Sequence, residues 1–421
     1  YDVFVTKLNS DGSSLIYSTF IGGSGDDHGY RTALDSDGNT YITGDTDSVD
    51  YPATIGANDT LHNGGNDVFV TKLGYGGSSL SYSTFIGGTG FDRGTDIFVD
   101  SNNNVYLTGV TTSTGYPTTS GVYDKSHNGG DDVFVTKVNS DGSILSYSTF
   151  IGSSDGEYGS GIYIDSNNNA YVTGWCHDGY PTTPGSFDET FNGNIDIFVT
   201  KLDPEGSSPL FSTFIGGSNI DYARSVDVDS NGNIYITGET ASTYFPTTNR
   251  AYDNTHNGGY DVFVTKIASD GSSLSYSTFI GGSALYDIGN DIVIDLYGNA
   301  YITGYTREAS TNFPTTTGAY DTSHNGQEDA FVTKLNSDGS SLLYSTFIGS
   351  VGGDLGYGIA INLKDVFITG NSYGNYPTTS EAYQTSNQGD YDVFTTRLYI
   401  DIKSPSFEND TTPKYGTTGD N

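Results

Sequence analysis

The seven-residue string DVFVTKL, or a close variant, occurs seven times, starting at Asp2, Asp67, Asp132, Asp196, Asp261, Asp329 and Asp392. The intervals are 65, 65, 64, 65, 68 and 63 residues. A period this constant makes one supersecondary unit the thing that folds, stacked on its neighbours until its apolar faces are covered. The 421 residues would suggest two or three domains by length alone. The repeat overrides that count. No copy stands out as a place for chemistry, so the expectation is that the chain is not an enzyme.

The second unit serves as a template. DVFVTKL (Asp67 to Leu73) is a short apolar run bounded by turn residues, the pattern of a buried strand. After a glycine-rich turn comes LSYSTFIGG (Leu80 to Gly88), a second strand closed by glycines. DIFVD (Asp96 to Asp100) then turns through SNNN into VYLTG (Val105 to Gly109), a hairpin with Asn/Gly turn chemistry. Each unit supplies four short strands and no helix, which specifies an all-β protein: a β-propeller of four-stranded antiparallel blades. A tandem array of sandwiches would need about 100 residues per unit.

The ordered combination DVFVTKL, YSTFIGG, D-x-[DN]-x-N-x-YITG and YPT resembles the SBBP repeat family, named for a seven-bladed β-propeller. The resemblance runs from residue 2 to about residue 398. It implies secreted or surface-attached proteins with propeller folds and no common activity. The expected layout is a propeller over residues 1–398 and a polar tail or linker over residues 399–421, where the repeat stops.

Counting strands complicates the family name. With DIFVD as strand A, VYLTG as B, DVFVTKL as C and YSTFIGG as D, the chain holds six A–B hairpins, six D strands and seven C strands. Their order is C-D, five complete A-B-C-D units, then A-B-C. Six blades are therefore expected, with seven as the alternative. The N-terminal strands would close the last A–B pair and leave one C strand surplus. Either a terminal copy lies loose, or the ring closes between molecules by strand addition, which builds a filament when it does not close on itself.

Charge narrows the partners. Asp and Glu number 51 against 16 Lys and Arg, for a net charge of −35, and seven of the sixteen bases belong to the repeat itself. Nucleic acid and anionic membranes are thereby excluded as partners, because phosphate binding needs a basic footprint. An acidic surface suits a soluble exported protein. One cysteine, Cys176, excludes an intrachain disulfide, and no apolar run is long enough to span a bilayer. The chain starts at Tyr1 and has no Met, as expected of a processed segment, and sequons stand at Asn58 and Asn409.

An acid stands eight residues before each A–B turn: Asp27, Asp92, Glu157, Asp221, Asp287 and Asp354. In a propeller these would ring one channel mouth and bind calcium. The plainer alternative is that each accepts backbone N–H bonds or pairs with the repeated Lys. The A–B turns, such as Asp35-Ser36-Asp37-Gly38-Asn39, match the first half of a calcium loop, but Thr46 and Thr111 stand where its closing Glu belongs. Hairpin chemistry explains them better, and the sixth turn (Asn362, Leu363, Lys364, Asp365) has lost the pattern.

His62, His127, His256 and His324 recur as His-Asn-Gly on separate units, so they read as loop packing. Gly152-Ser153-Ser154-Asp155-Gly156 matches G-x-S-x-G without the helix that motif requires. Trp175, the only tryptophan, interrupts the pattern beside Cys176 and His177. The expected function is thus a non-catalytic extracellular structural or adhesive propeller of a cell surface or filament, partnered by itself or other surface proteins. The alternative is a carbohydrate-binding or carbohydrate-processing propeller using Asp96, Asp291, Tyr158 and Tyr222 on the channel face.

Overall fold

The computed structural model describes residues 1–283, 285–307, 312–362 and 365–400. The described residues form 25 β-strands and no helix. The chain opens with an antiparallel pair, β1 (Val3–Leu8) and β2 (Leu15–Ile21). Five complete blades follow. The first is β3 (Asp27–Leu34), β4 (Thr40–Thr46), β5 (Asp67–Leu73) and β6 (Leu80–Ile86). The second is β7 (Asp92–Val99), β8 (Val105–Thr111), β9 (Asp132–Val138) and β10 (Leu145–Ile151). The third is β11 (Glu157–Ile164), β12 (Ala170–Cys176), β13 (Asp196–Leu202) and β14 (Pro209–Ile215). The fourth is β15 (Asp221–Val228), β16 (Ile234–Thr240), β17 (Asp261–Ile267) and β18 (Leu274–Ile280). The fifth is β19 (Tyr286–Ile294), β20 (Ala300–Arg307), β21 (Glu328–Leu335) and β22 (Leu342–Ile348). An antiparallel three-stranded sheet ends the chain, β23 (Gly353–Asn362), β24 (Asp365–Tyr373) and β25 (Asp392–Tyr399), tied to the fifth blade by one parallel pairing, Glu328↔Gly353, between β21 and β23.

Within each blade the order along the sheet is A-B-C-D, all antiparallel, as the sequence pattern predicts. Every A strand carries a bulge near its start, for example between Gly94 and Asp96, which bends the inner strand. The glycine that follows each B-strand Thr is required by close approach: a Cβ on Gly109 would lie 1.9 Å from the Arg93 carbonyl oxygen. The apolar cores lie between blades. Tyr41, Val68 and Val70 of the first blade pack with Ile97, Val105, Phe134 and Phe150 of the second.

A repeated joint locks neighbours together. The B–C loop of each blade donates a backbone bond to the C–D turn of the next: Asn58 N to Gly142 O, 2.8 Å, and Tyr123 N to Gly206 O, 2.9 Å. That turn glycine in turn packs on the preceding D strand, so a Cβ on Gly142 would come within 2.3 Å of the Tyr82 ring.

The terminal strands do not join as expected. The place beside β24 is filled in full register by β25, from Asp365↔Tyr399 to Ser372↔Asp392. The pair β1–β2 forms a two-stranded sheet of its own. The inter-blade joint shows where that pair sits. Tyr383 N of the last B–C loop donates to Gly12 O of the β1–β2 turn, 3.0 Å, as each blade does to the next. The N-terminal pair is therefore seated one step beyond the three-stranded sheet rather than inside it. No hydrogen-bonded strand pairing closes the ring among the described residues. Residues 401–421, with Asn409 and nearly all of the expected tail, lie outside the described residues, as do Leu363 and Lys364 of the sixth turn.

Candidate functional site

The repeated acids are built into blade interiors. Asp27, Asp92, Glu157, Asp221, Asp287 and Asp354 are all buried. Asp92 accepts the Thr111 hydroxyl, the Ser113 hydroxyl (2.8 Å) and the Gly88 N–H (2.7 Å). Asp221 repeats the set with Thr240, Ser242 and Gly217. The six side chains stay in their own units and do not converge on the axis, because alternate residues of a strand face opposite ways. Among the described residues no group of three or more His, Cys, Asp or Glu side chains comes together to hold a metal ion.

Each of these acids in the second to fourth blades faces another acid from the C strand of the preceding blade. A Cβ on Gly87 would lie 2.5 Å from Asp67 Oδ1 and 2.9 Å from Asp92 Oδ2, which explains the glycine after each TFI. Burial, and to a smaller degree the neighbouring Asp221, pushes Asp196 up to about 7.

The A–B turns are closed hydrogen-bond units. Asp35 accepts the Asp37 and Asn39 N–H groups, the Asn39 side chain and the Tyr41 hydroxyl, and Lys72 Nζ stands 3.2 Å away. Burial alone would raise its pKa, but these donors outweigh it and hold Asp35 down at about 2. The repeated Lys thus pairs with the turn Asp rather than with the A-strand acid. His62 donates from Nε2 to the Thr46 carbonyl (3.2 Å) and meets Phe85 edge-on, and His127, His256 and His324 do the same in their units. Ser154, the serine of the G-x-S-x-G match, lies in the turn between β10 and β11, and its neighbour Ser153 donates to Glu157.

What does converge is the set of residues that differ between repeats. Deep in the channel Arg31 bridges two of the predicted acids: Nε is 3.8 Å from Asp96 Oδ1, and Nη1 is 3.3 Å from Asp291 Oδ2. The first, second and fifth blades meet there. Asp96 also accepts the Ile162 N–H (2.8 Å), and Asp291 accepts the Ser225 hydroxyl (2.7 Å) and the Ile359 N–H (2.9 Å). Asp227 accepts the Ile294 N–H at 2.8 Å. These acids pin the inner strands of neighbouring blades to one another. Burial pushes Asp96 up to about 6, against the pull of Arg31, and pushes Asp227 up to about 7.

Nearer the start of the inner strands lies an aromatic and arginine layer. Tyr158 stacks on Trp175 with ring centres 5.6 Å apart and planes 2° from parallel, and Trp175 meets Tyr222 edge-on at 5.6 Å. Arg93 bonds to buried Asp45 (2.8 Å) and lies 5.0 Å from the centre of the Tyr30 ring. Arg224 chelates buried Glu239 through Nε and Nη2. Tyr158 and Tyr222, singled out from sequence, take part. Arg31, Arg93, Arg224, Asp45 and Glu239 were not foreseen. For Arg93 a signal was available: at the position after each A-strand acid the units read His28, Arg93, Tyr158, Tyr222, Ile288 and Leu355, a variable column inside a constant repeat.

Comparison with known proteins agrees on architecture. A model of the SBBP family, described as a β-propeller repeat, matches residues 210–246 and 275–313. No curated protein sequence matches the chain. Among solved structures, a NanB sialidase from Streptococcus pneumoniae is similar at 11% identity and TM-score 0.48, over 92% of this chain and 70% of that one. The polysaccharide lyase Uly1 is similar at 11% identity and TM-score 0.46, over 94% and 85%. Hydrazine synthase of Kuenenia stuttgartiensis gives 13% identity and TM-score 0.44, over 81% and 73%. The expectation that the chain is not an enzyme is not upheld, since these neighbours are enzymes by name, and the fold itself establishes no catalysis. Constancy of the blades leaves the channel positions free to vary. At such identities the likeness concerns the fold and assigns no reaction. The chain matches the SBBP repeat model over these two stretches and is an all-β propeller of four-stranded antiparallel blades.

Proposed function

We propose that the chain is an extracellular, cell-surface propeller that joins further copies of itself, or other surface proteins, by strand addition at its open edges. The observation that carries this reading is the state of the terminal strands. Among the described residues β1 pairs only with β2, and β25 only with β24, so each leaves one row of backbone donors and acceptors without a described strand partner. Phe4 and Phe20 are 51% and 75% exposed, whereas their repeat equivalents Phe69 and Phe85 are buried. An open edge flanked by exposed aromatics is a template for another strand. The acidic composition suits a location outside the cell, where it keeps such a module soluble until edges meet.

The reading is tested by light scattering and negative-stain imaging of the purified chain across a wide concentration range. Assembly is expected for the natural chain and is expected to disappear in Phe4→Glu/Phe20→Glu. A natural chain that stays monomeric at every concentration, in the presence and absence of calcium, would remove the proposal.

A further inference from the structure

The channel mouth carries chemistry that strand addition does not use. Four of the six arginines in a chain of net charge −35 stand on the two inner strands of their blades: Arg31, Arg93 and Arg224 on β3, β7 and β15, and Arg307 at the end of the second strand β20. Arg93, Arg224 and Arg307 are each paired with an acid, and in each pair the acid is the hidden member. Asp45 is 0% exposed beneath Arg93 at 29%, Glu239 is 3% exposed beneath Arg224 at 44%, and Glu328 is 17% exposed beside Arg307 at 52%. The buried carboxylates hold the guanidinium planes in place, and the solvent-facing side of each pair is arginine. A guanidinium has five N–H donors, more than one carboxylate occupies.

Between Arg93 and Arg224 runs the aromatic row Tyr158, Trp175 and Tyr222. Arg224 lies 6.0 Å from the Tyr222 ring centre. Arg93 lies within reach of the Tyr158 hydroxyl, and Tyr158 is close enough to Arg224 to act on the guanidinium electrostatically, so the row and its two arginines form one surface. Tyr158, Trp175 and Tyr222 are all partly exposed. None of these residues recurs at its repeat-equivalent positions throughout the ring, so the needs of blade packing do not account for them.

We infer that this mouth is a binding site for an acidic saccharide, the sugar ring lying against the Tyr158–Trp175–Tyr222 row and its carboxylate bridged by Arg93 or Arg224. A partly exposed aromatic row offers an apolar face with polar rims, which matches the CH face and hydroxyl edge of a pyranose. A planar guanidinium matches a carboxylate with two parallel hydrogen bonds. A neutral polymer would use the rings and leave the arginine donors idle. An anionic lipid surface would need a far broader basic footprint than this acidic chain has. The site is independent of the open strand edges, so either proposal stands if the other fails.

The test uses the intact chain and Trp175 as a built-in probe, since it is the only tryptophan. An oligosaccharide of galacturonic acid is titrated against emission and, in parallel, by calorimetry, with the corresponding neutral galactose oligomer as control. Saturable binding of the uronate is expected, weakening as salt is raised, with the neutral oligomer at least about tenfold weaker. Arg224→Lys keeps the charge but loses the planar fork, and is expected to weaken the uronate about tenfold and the neutral sugar little. Tyr222→Leu should weaken both. Equal binding of the two oligomers overturns the acidic class, and no saturable heat or emission change with either overturns the site. Should Arg224→Lys fail to fold, Arg93→Lys and the salt dependence of the natural chain decide the same point.

Discussion

The same seven residues behave in two ways in this molecule. In the second blade, β9 lies between β8 and β10, and Val133, Phe134, Val135 and Val138 are all fully buried. In the N-terminal pair, β1 has a neighbour on one side only and alternates buried and exposed, with Phe4 half in solvent. The difference lies in what surrounds the strand. The middle blades have a B strand on one side, a D strand on the other, and a loop tyrosine or phenylalanine over the C-strand phenylalanine: Tyr116 stacks on Phe134 at 4.7 Å, and Phe245 lies 4.8 Å from Phe263. β1 has neither a B strand nor that loop. A repeat unit of this kind is stable through its neighbours, as expected of a quasi-linear array closed on itself.

The largest expected contrast is Phe134→Ala against Phe4→Ala. The first removes a fully buried ring and should cost about 3–5 kcal/mol. The second removes a half-exposed one and should cost under about 1 kcal/mol, both read by chemical denaturation. Equal costs would mean that the terminal pair is packed as tightly as a blade. Next comes Thr111→Val, which withdraws a buried hydroxyl from Asp92 and should cost about 1–3 kcal/mol. By contrast Thr19→Val on the terminal strand β2, whose hydroxyl bond is exposed, should be close to neutral by the same measurement.

The channel offers a pH-dependent contrast. Asp96 and Asp227 have folded pKa values raised to about 6 and about 7, above the ordinary carboxylate range. A carboxyl raised in the folded state contributes stability that is complete below its unfolded pKa and is lost as pH climbs through the folded value. The melting temperature should therefore fall between about pH 4 and pH 7, and Asp227→Asn should flatten that fall. A melting temperature that rises over this window would refute the assignment. Asp35 works in the opposite direction: held low at about 2, it loses its stabilising contribution only in strong acid.

The smallest effect is expected at the repeated lysine. Lys7 on β1 sits over the Tyr75 ring at 3.9 Å, whereas Lys266 in the fourth blade also faces Asp229 at 3.6 Å. Lys7→Met should shift stability by about 0.5 kcal/mol or less, and Lys266→Met by up to about 1 kcal/mol. Thermal melts of the two variants side by side would show whether the turn acid adds anything.

Most of the fold was legible because strand patterns and turn residues act locally. The A–B turns show this: Asn and Gly stand where the backbone needs positive φ, as at Gly38 (77°) and Asn103 (63°), and the structure places hairpins there. The placing of the ends was not legible, because DVFVTKL at Asp392 and at Asp2 reads the same, yet one strand sits beside β24 and the other belongs to a separate sheet. Only the partners differ. Of the mouth, Tyr158 and Tyr222 could be picked out as acid-adjacent aromatics on an inner strand. Arg93 stood out only as a member of a variable column, and the arginine–acid pairs could not be read, since the hidden partners Asp45 and Glu239 come from the B strands, 15 to 48 residues away along the chain.

The sequence by itself determined the blade: four antiparallel strands, their order, their turns and the buried alternation, all set by interactions inside one repeat of about 65 residues. Only the tertiary structure decided which acids share a channel and which are sealed inside blades. It also decided which aromatics and arginines form one surface, and which strand edges stay open. Those outcomes depend on contacts between units far apart in sequence, and a periodic chain carries no local mark of which copies will face one another across the axis.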